Sequence, residues 1–214
     1  MGESERRDWL DWHSAYEDPT SALSRRLSVV RDEFREALDA HRGATRVISI
    51  CAGQGRDVLP VLAAHPNGRN VDALLVELDP RNTELAQRTV DEYGLKRVRV
   101  LQGDAASTDS YVGAAPANIV LACGIFGNVS DEDVRRVIAY LPCLCAANAT
   151  VLWTRGRQPH RDFAQEIRGL FADGGFEEIA FDAPDDTKYR VGVCRLVAAP
   201  RPLKRGVQLF RFNR

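Results

Sequence analysis

The sequence predicts an α/β fold: a doubly wound, mostly parallel seven-stranded sheet ending in an antiparallel hairpin, with helices on both faces and a helical N-terminal extension. Three observations predict it. Short apolar, β-branched runs alternate with helical stretches along most of the chain, which implies parallel strands joined by crossover helices. One such run, 46–51, empties into a turn with glycine at 53 and 55; a helix and a second strand closed by Glu77 follow. The last two runs, 177–182 and 189–198, are separated only by residues 183–188, too few to cross over, so they must be antiparallel neighbours. Right-handed crossovers then fix most of the topology.

Each element has its own signal. Residues 8–16 form a short helix candidate with Trp9, Trp12, His13 and Tyr16 on one face. Asp18-Pro19 predicts the cap and first turn of a second helix, along which Leu23, Leu27, Val30, Phe34 and Leu38 recur at helical spacing. Strand one spans 46–51, a helix spans 56–64, and Asn67-Gly68 turns the chain into strand two at 73–76. Asp79-Pro80 caps a helix that stops near Gly94. Strands three and four occupy 97–102 and 118–123. Ser130, with Asp133 three residues on, opens a helix over 131–145 that Pro142 bends or shortens. Strand five spans 150–154, and a helix over 160–172 ends at Gly174-Gly175. The apolar stretch 207–212 reads as one more strand.

The glycine turn and Glu77 carry the chemistry. Gly53 and Gly55 permit positive φ and let the backbone approach a ligand closely. A carboxylate closing the second strand accepts two hydrogen bonds from the hydroxyls of a ribose. A dinucleotide fingerprint would place a third glycine at position 58, where this chain has Val58.

The stretch Ser49-Ile-Cys-Ala-Gly-Gln-Gly resembles motif I of the class I S-adenosylmethionine (SAM) dependent methyltransferases, whose usual form is an acidic residue, x, Gly, x, Gly, x, Gly. Gly53 and Gly55 match; Cys51 stands for the first glycine and Ser49 for the acidic residue. Glu77 in Val-Glu-Leu-Asp-Pro is similar to the ribose-binding acid. Gln102-Gly-Asp-Ala resembles the adenine-holding segment, with Asp104 accepting from the exocyclic amine. Asn118-Ile-Val-Leu-Ala-Cys-Gly resembles the fourth strand and its exit loop. The resemblance covers residues 44–198. It implies SAM as cofactor, held by Ala52, Gly53, Gln54, Gly55, Glu77, Leu78, Asp79, Asp104, Ala105 and Cys123. It also implies methyl transfer to oxygen or nitrogen of an acceptor. Residues 1–43 are expected to pack as an extension or lid on a domain spanning 44–214.

The acceptor side is expected from the fourth-strand loop, the fifth-strand exit and the extension. Phe126, bracketed by glycines, is either a wall of the methyl-transfer site or a core residue beneath a tight turn; Asn128 at the end of that loop is a further candidate substrate contact. Arg155 either binds an anionic substrate group or is a solvated arginine. His13, Tyr16 and His160 are the candidate catalytic residues and Trp12 a candidate substrate contact; the aromatic face that carries three of them either lids the cofactor or docks the helix. The Asn/Asp-Pro-Pro-aromatic signature of enzymes that methylate nucleic-acid amino groups does not occur in the fourth-strand loop, which favours a small-molecule acceptor.

Composition bounds the alternatives. The chain has 214 residues, 44% hydrophobic and 28% charged, with a formal net charge of -1, so no overall positive field favours nucleic acid. Its basic C-terminal residues (Arg201, Lys204, Arg205, Arg211, Arg214) read as a solvated face or a phosphate patch. The five cysteines form neither a disulfide framework nor a Cys-x-x-Cys site, and no His/carboxylate spacing suggests a metal. No run reaches membrane-spanning length and no signal-peptide core is evident, so a cytoplasmic location is expected. Three other readings stay open: a nicotinamide-dependent oxidoreductase, a non-catalytic SAM or nucleoside binder, and an RNA methyltransferase.

Overall fold

The computed structural model describes Tyr16, Asp18, residues 20–157 and residues 162–213. Residues 8–15 of the helix expected over 8–16, with Trp12 and His13, and the start of the helix at His160 lie outside the described residues.

Twelve elements are used below: α1 (Ala22–Ala40), β1 (Arg46–Ile50), α2 (Leu59–Ala64), β2 (Asp72–Glu77), α3 (Pro80–Tyr93), β3 (Val98–Gln102), β4 (Ala117–Ala122), α4 (Asp131–Tyr140), β5 (Cys145–Gly156), α5 (Ala164–Asp173), β6 (Phe176–Asp182) and β7 (Tyr189–Leu196). The strands form one seven-stranded sheet in the order β3-β2-β1-β4-β5-β7-β6. The β1 to β5 pairings are parallel, and β7 lies antiparallel between β5 and β6. The expected hairpin is therefore present, and it places the later strand inside the earlier one.

Alternation along the strands separates two cores. Ile48, Ile50, Leu74, Val76, Val120 and Ala122 face α4, α5 and the C-terminal segment. Val47, Ala73, Leu75, Ile119 and Leu121 face α1, α2 and α3. Because successive residues point to opposite faces, the near-continuous apolar runs of the central strands, broken by Ser49 in β1 and Asn118 in β4, bury them on both sides.

Several boundaries differ from expectation for local reasons. Helix α1 is capped by Ser21, whose hydroxyl accepts from Ser24 N–H, and not by Asp18. Asp18 Oδ1 instead closes a turn onto the Thr20 N–H (2.8 Å) and hydroxyl (2.7 Å). Helix α2 starts at Leu59 rather than 56, because the Gly55 carbonyl takes both the Val58 and Leu59 N–H groups before Pro60 enters the first turn. Helix α4 ends at Tyr140, where Leu141–Cys143 tightens into a 3₁₀ turn around Pro142, and β5 is already under way at Cys145. Pairing then jumps from Ala117 opposite Cys145 to Ile119 opposite Thr150, a bulge that holds Asn148 at φ 60°.

The stretch 207–212 does not form a strand. It is a strap with two isolated bridges, Gln208 to Ser107 and Phe212 to Val129, and it buries Leu209 and Phe210.

Candidate functional site

The exits of β3, β2, β1 and β4 lie side by side along one edge of the sheet. In an open α/β sheet the ligand crevice lies beyond such exits, where the winding reverses, here between β1 and β4.

The chain leaves β1 through Cys51, whose φ of 55° is left-handed, and then through Gly53 and Gly55 at 55° and 69°. Ala52 N–H donates to the Val76 carbonyl and Gly55 N–H to the Ala52 carbonyl, both at 2.9 Å. A Cβ on Gly55 would come within 2.7–2.9 Å of the Leu59 and Leu75 side chains, so glycine is required there by packing as well as by φ. Cys51 takes the conformation of the glycine it replaces, at a cost of roughly 1–2 kcal/mol. Burial pushes its thiol pKa well up, and the nearby Glu77 and Asp104 carboxylates push it further.

Glu77 ties this turn to the next exit. Its Oε2 accepts from Gly53 N–H and its Oε1 from Asp79 N–H, both at 2.8 Å. Each oxygen keeps a second lone-pair direction, so the half-buried carboxylate can also receive a vicinal diol. Beside it Leu78 is 61% exposed, a large apolar surface at the mouth of the crevice. Asp79 caps α3 and pairs with Arg81 at 2.7 Å; the hydrogen bond from Arg81 holds its carboxyl below the usual range. The Gln54 side chain bridges Arg56 Nε (2.9 Å) and Asn82 (3.3 Å).

At the β3 exit, Asp104 is exposed. Its Oδ1 accepts from Ala106 N–H (2.8 Å) and its Oδ2 from Gln208 Nε2 of the strap (3.2 Å). Ala105 is buried behind it. The strap clasps this loop again through Leu209 N–H to the Ala106 carbonyl (2.7 Å) and Arg205 to Asp109 (2.8 Å).

At the β4 exit, Gly124 at φ 80° donates its N–H to Thr154 Oγ1 (2.8 Å), and Asn128 Nδ2 donates to the Gly124 carbonyl (2.7 Å). Phe126 does not line the crevice. It is 0% exposed and packs against Trp153 and Phe171, with centroids 6.2 and 6.5 Å away. Arg155 is not a solvated arginine either: it is 7% exposed, donates to the Phe126 carbonyl at 2.6 Å and to Asp131 at 3.3 Å, and lies 4.6 Å over the Phe163 ring. Both side chains brace the loop from behind.

A polar cluster sits where the β1 turn meets the β4 exit. Tyr16 Oη accepts from Arg26 Nη2 (2.8 Å), and the Arg56 guanidinium lies 5.5 Å over the Tyr16 ring. Arg31 Nε donates to the Arg56 carbonyl (2.8 Å). Asp57 and Cys123 lie within electrostatic reach of each other and of Arg26. Asp57 Oδ1 is buried without a hydrogen-bond partner, and burial raises its carboxyl pKa to about 6. Burial likewise pushes Tyr16 and Cys123 up, with Asp57 a further cause for each. Sequence reasoning passed over Asp57 and Arg26. The signals were present: a charged pair directly after the glycine turn, and an arginine next to Leu27 on the apolar stripe of α1. Among the described residues no group of three or more His, Cys, Asp or Glu side chains is arranged to hold a metal ion.

A sheet in the order 3-2-1-4-5-7-6, a glycine turn after β1 and a carboxylate closing β2 define the class I methyltransferase fold. The family model described as "Putative methyltransferase" matches residues 25–165, more than half of the chain, and the protein belongs to that family. Solved structures share the fold at low identity. Magnesium protoporphyrin IX methyltransferase (ChlM) from Synechocystis PCC 6803, with bound SAM, superposes with a TM-score of 0.68 at 13% identity, over 88% of this chain and 91% of that one. An O-methyltransferase family protein from Burkholderia thailandensis gives 0.58 at 18%, over 90% and 70%. The CurJ carbon methyltransferase gives 0.65 at 12%, over 86% and 58%. No curated protein matches the sequence. Among the described residues no helix is long and apolar enough to cross a membrane.

Proposed function

We propose that the protein is a SAM-dependent methyltransferase that methylates oxygen or nitrogen of a small-molecule acceptor. The observation that carries the cofactor assignment is Glu77, whose carboxylate holds the glycine turn and the β2 exit together and keeps lone pairs toward the crevice. In this reading Glu77 takes the ribose hydroxyls, and Leu78 with Ala105 flanks the adenine. Asp104 accepts from the adenine amine, and the 52–55 turn runs beneath the sulfur side. Cys51 adopts the backbone that the motif's glycine would, which supports this frame. SAM supplies an electrophilic methyl group on a sulfonium, so the protein has to align the acceptor and exclude water. Asn128 and Tyr16 border that side; His13 and His160 are proposed as bases for an acceptor that arrives protonated.

The low net charge and the fourth-strand loop sequence support a small molecule over nucleic acid. Calorimetric titration with S-adenosylhomocysteine (SAH), with NADPH in parallel, tests the reading. Micromolar SAH binding without NADPH binding is expected. NADPH binding alone would overturn it in favour of an oxidoreductase.

A further inference from the structure

We propose that Asp57 is the counter-ion for the α-ammonium at the amino-acid end of the cofactor. It thereby makes the pocket read an intact amino acid rather than the nucleoside alone. The inference rests on the SAM reading above and deepens it.

The first argument is an unmet need. Asp57 Oδ1 is buried without a hydrogen-bond partner, although Arg26 and Arg31 lie within electrostatic reach and Arg56 precedes it in the chain. Their hydrogen bonds described above go elsewhere: Arg26 to Tyr16, Arg31 to the Arg56 carbonyl, and Arg56 to Gln54. A buried acceptor left over in this way costs free energy until a donor arrives, and such groups concentrate at ligand sites. A primary ammonium brings three N–H donors and a compact positive charge, which matches a single carboxylate oxygen at a closed turn.

The second argument is order along the sheet. The cofactor is linear: adenine, ribose, sulfur, amino acid. The strand exits run β3, β2, β1, β4, roughly 4.8 Å apart. With adenine at Asp104 on the β3 exit and ribose at Glu77 on the β2 exit, the amino acid falls over the β1 turn and the β4 exit. Asp57 and Cys123 occupy those two places.

The charges around Asp57 give the pH dependence its sign. Arg26 and Arg31 face it from α1, Tyr16 from the segment before α1, and Cys123 from the β4 exit. Tyr16 and Cys123 are pushed up and stay protonated at neutral pH, and the arginines stay charged. Asp57 is then the member of this cluster that changes charge between pH 5 and 7. Below about 6 it is protonated and offers the ammonium no charge.

The test compares SAH with 5′-methylthioadenosine, which lacks the amino acid, by calorimetry on wild type and Asp57→Asn at pH 5 and pH 7. Wild-type affinity for SAH should rise roughly tenfold over that interval, because the ionised fraction does. Affinity for 5′-methylthioadenosine should not. Asp57→Asn should lose at least about tenfold in SAH affinity at pH 7, keep its affinity for the thioether nucleoside, and flatten the pH dependence. Equal SAH binding by variant and wild type overturns the inference alone, as does equal loss of both ligands. Wild type that binds neither ligand overturns the SAM reading and the inference with it. The thermal midpoint of the variant checks its fold. If the variant does not fold, the wild-type pair of pH profiles still decides: parallel profiles for the two ligands refute the role of Asp57.

Discussion

Asp57 should cost the ligand-free protein stability, and that cost should depend on pH in a particular direction. Its carboxyl titrates near 3.8 in the unfolded chain and at about 6 in the folded protein. Between these values the folded state binds the proton more tightly, so raising the pH through the interval disfavours folding. The burden is absent below about pH 4 and complete above about pH 6. A shift of about two pK units corresponds to about 3 kcal/mol at most, and about 1–3 kcal/mol is the expected range once partial solvent contact of the residue is allowed for. Asp57→Asn removes the titration. The amide brings a constant packing and hydrogen-bonding change of its own, so the informative quantity is the difference between variant and wild type at two pH values. Urea unfolding at pH 4 and pH 7.5 measures it. The stability of the variant relative to wild type should improve by about 1–3 kcal/mol at the higher pH. A difference that is the same at both pH values, or that moves the other way, would refute the account of Asp57 as a buried acid with one oxygen left without a partner.

Other substitutions separate support from ligand contact. Glu77→Ala should weaken SAH binding by about 1–3 kcal/mol in calorimetry, and it should also lower the thermal midpoint because Gly53 and Asp79 lose their acceptor. SAH affinity equal to wild type would remove Glu77 from the ribose role. Arg155→Ala should destabilise by about 2–4 kcal/mol in urea by removing the donor to the buried Phe126 carbonyl and one ion pair of Asp131, while SAH affinity of the folded protein stays within about threefold of wild type. A selective loss of ligand binding would return Arg155 to the crevice. Cys51→Gly should be tolerated or slightly stabilising, by up to about 1 kcal/mol, whereas Cys51→Val should destabilise by about 1–3 kcal/mol, because a β-branched residue resists φ 55°. Thermal melts of the pair give the ranking, and equal midpoints would show that the turn relaxes around either residue.

The parts legible in the sequence were those set by local chemistry or by chain length. Asp79, Pro80 and Gly94 bound α3 because a cap, a fixed φ and a left-handed terminus are properties of single residues. The hairpin of β6 and β7 follows from a connection too short to cross over. The glycine turn and Glu77 were recognised as a pair, and the structure joins them directly through Gly53 N–H. What escaped was set by distant partners. Phe126 carries no mark of being inward; that depends on Trp153 and Phe171, which arrive from β5 and α5. Arg155 is drawn in by a carbonyl and a ring on two other segments. Residues 141–145 read as the end of a helix and 146–149 as a connection, until Ala117 offers Cys145 a strand to pair with. Asp57 was hidden by the expectation that a helix, rather than an irregular turn, begins at 56.

The strap gives the pocket a kinetic character of its own. The Gln208–Asp104 contact of the strap and the Arg205–Asp109 pair just before it each close a loop of about a hundred residues, and such long-range closures are entropically costly. The loop from Asp104 to Tyr111 is thus organised by a segment far from it in sequence. A clasp of this kind can also release before the sheet does: only Leu209 and Phe210 anchor it deeply, and its remaining ties are single hydrogen bonds and surface pairs. Backbone amides at 108 and 209, which bond across the strap, should then exchange with solvent through a local opening less costly than global unfolding. The position of Asp104, the proposed adenine contact, then depends on the strap staying fastened.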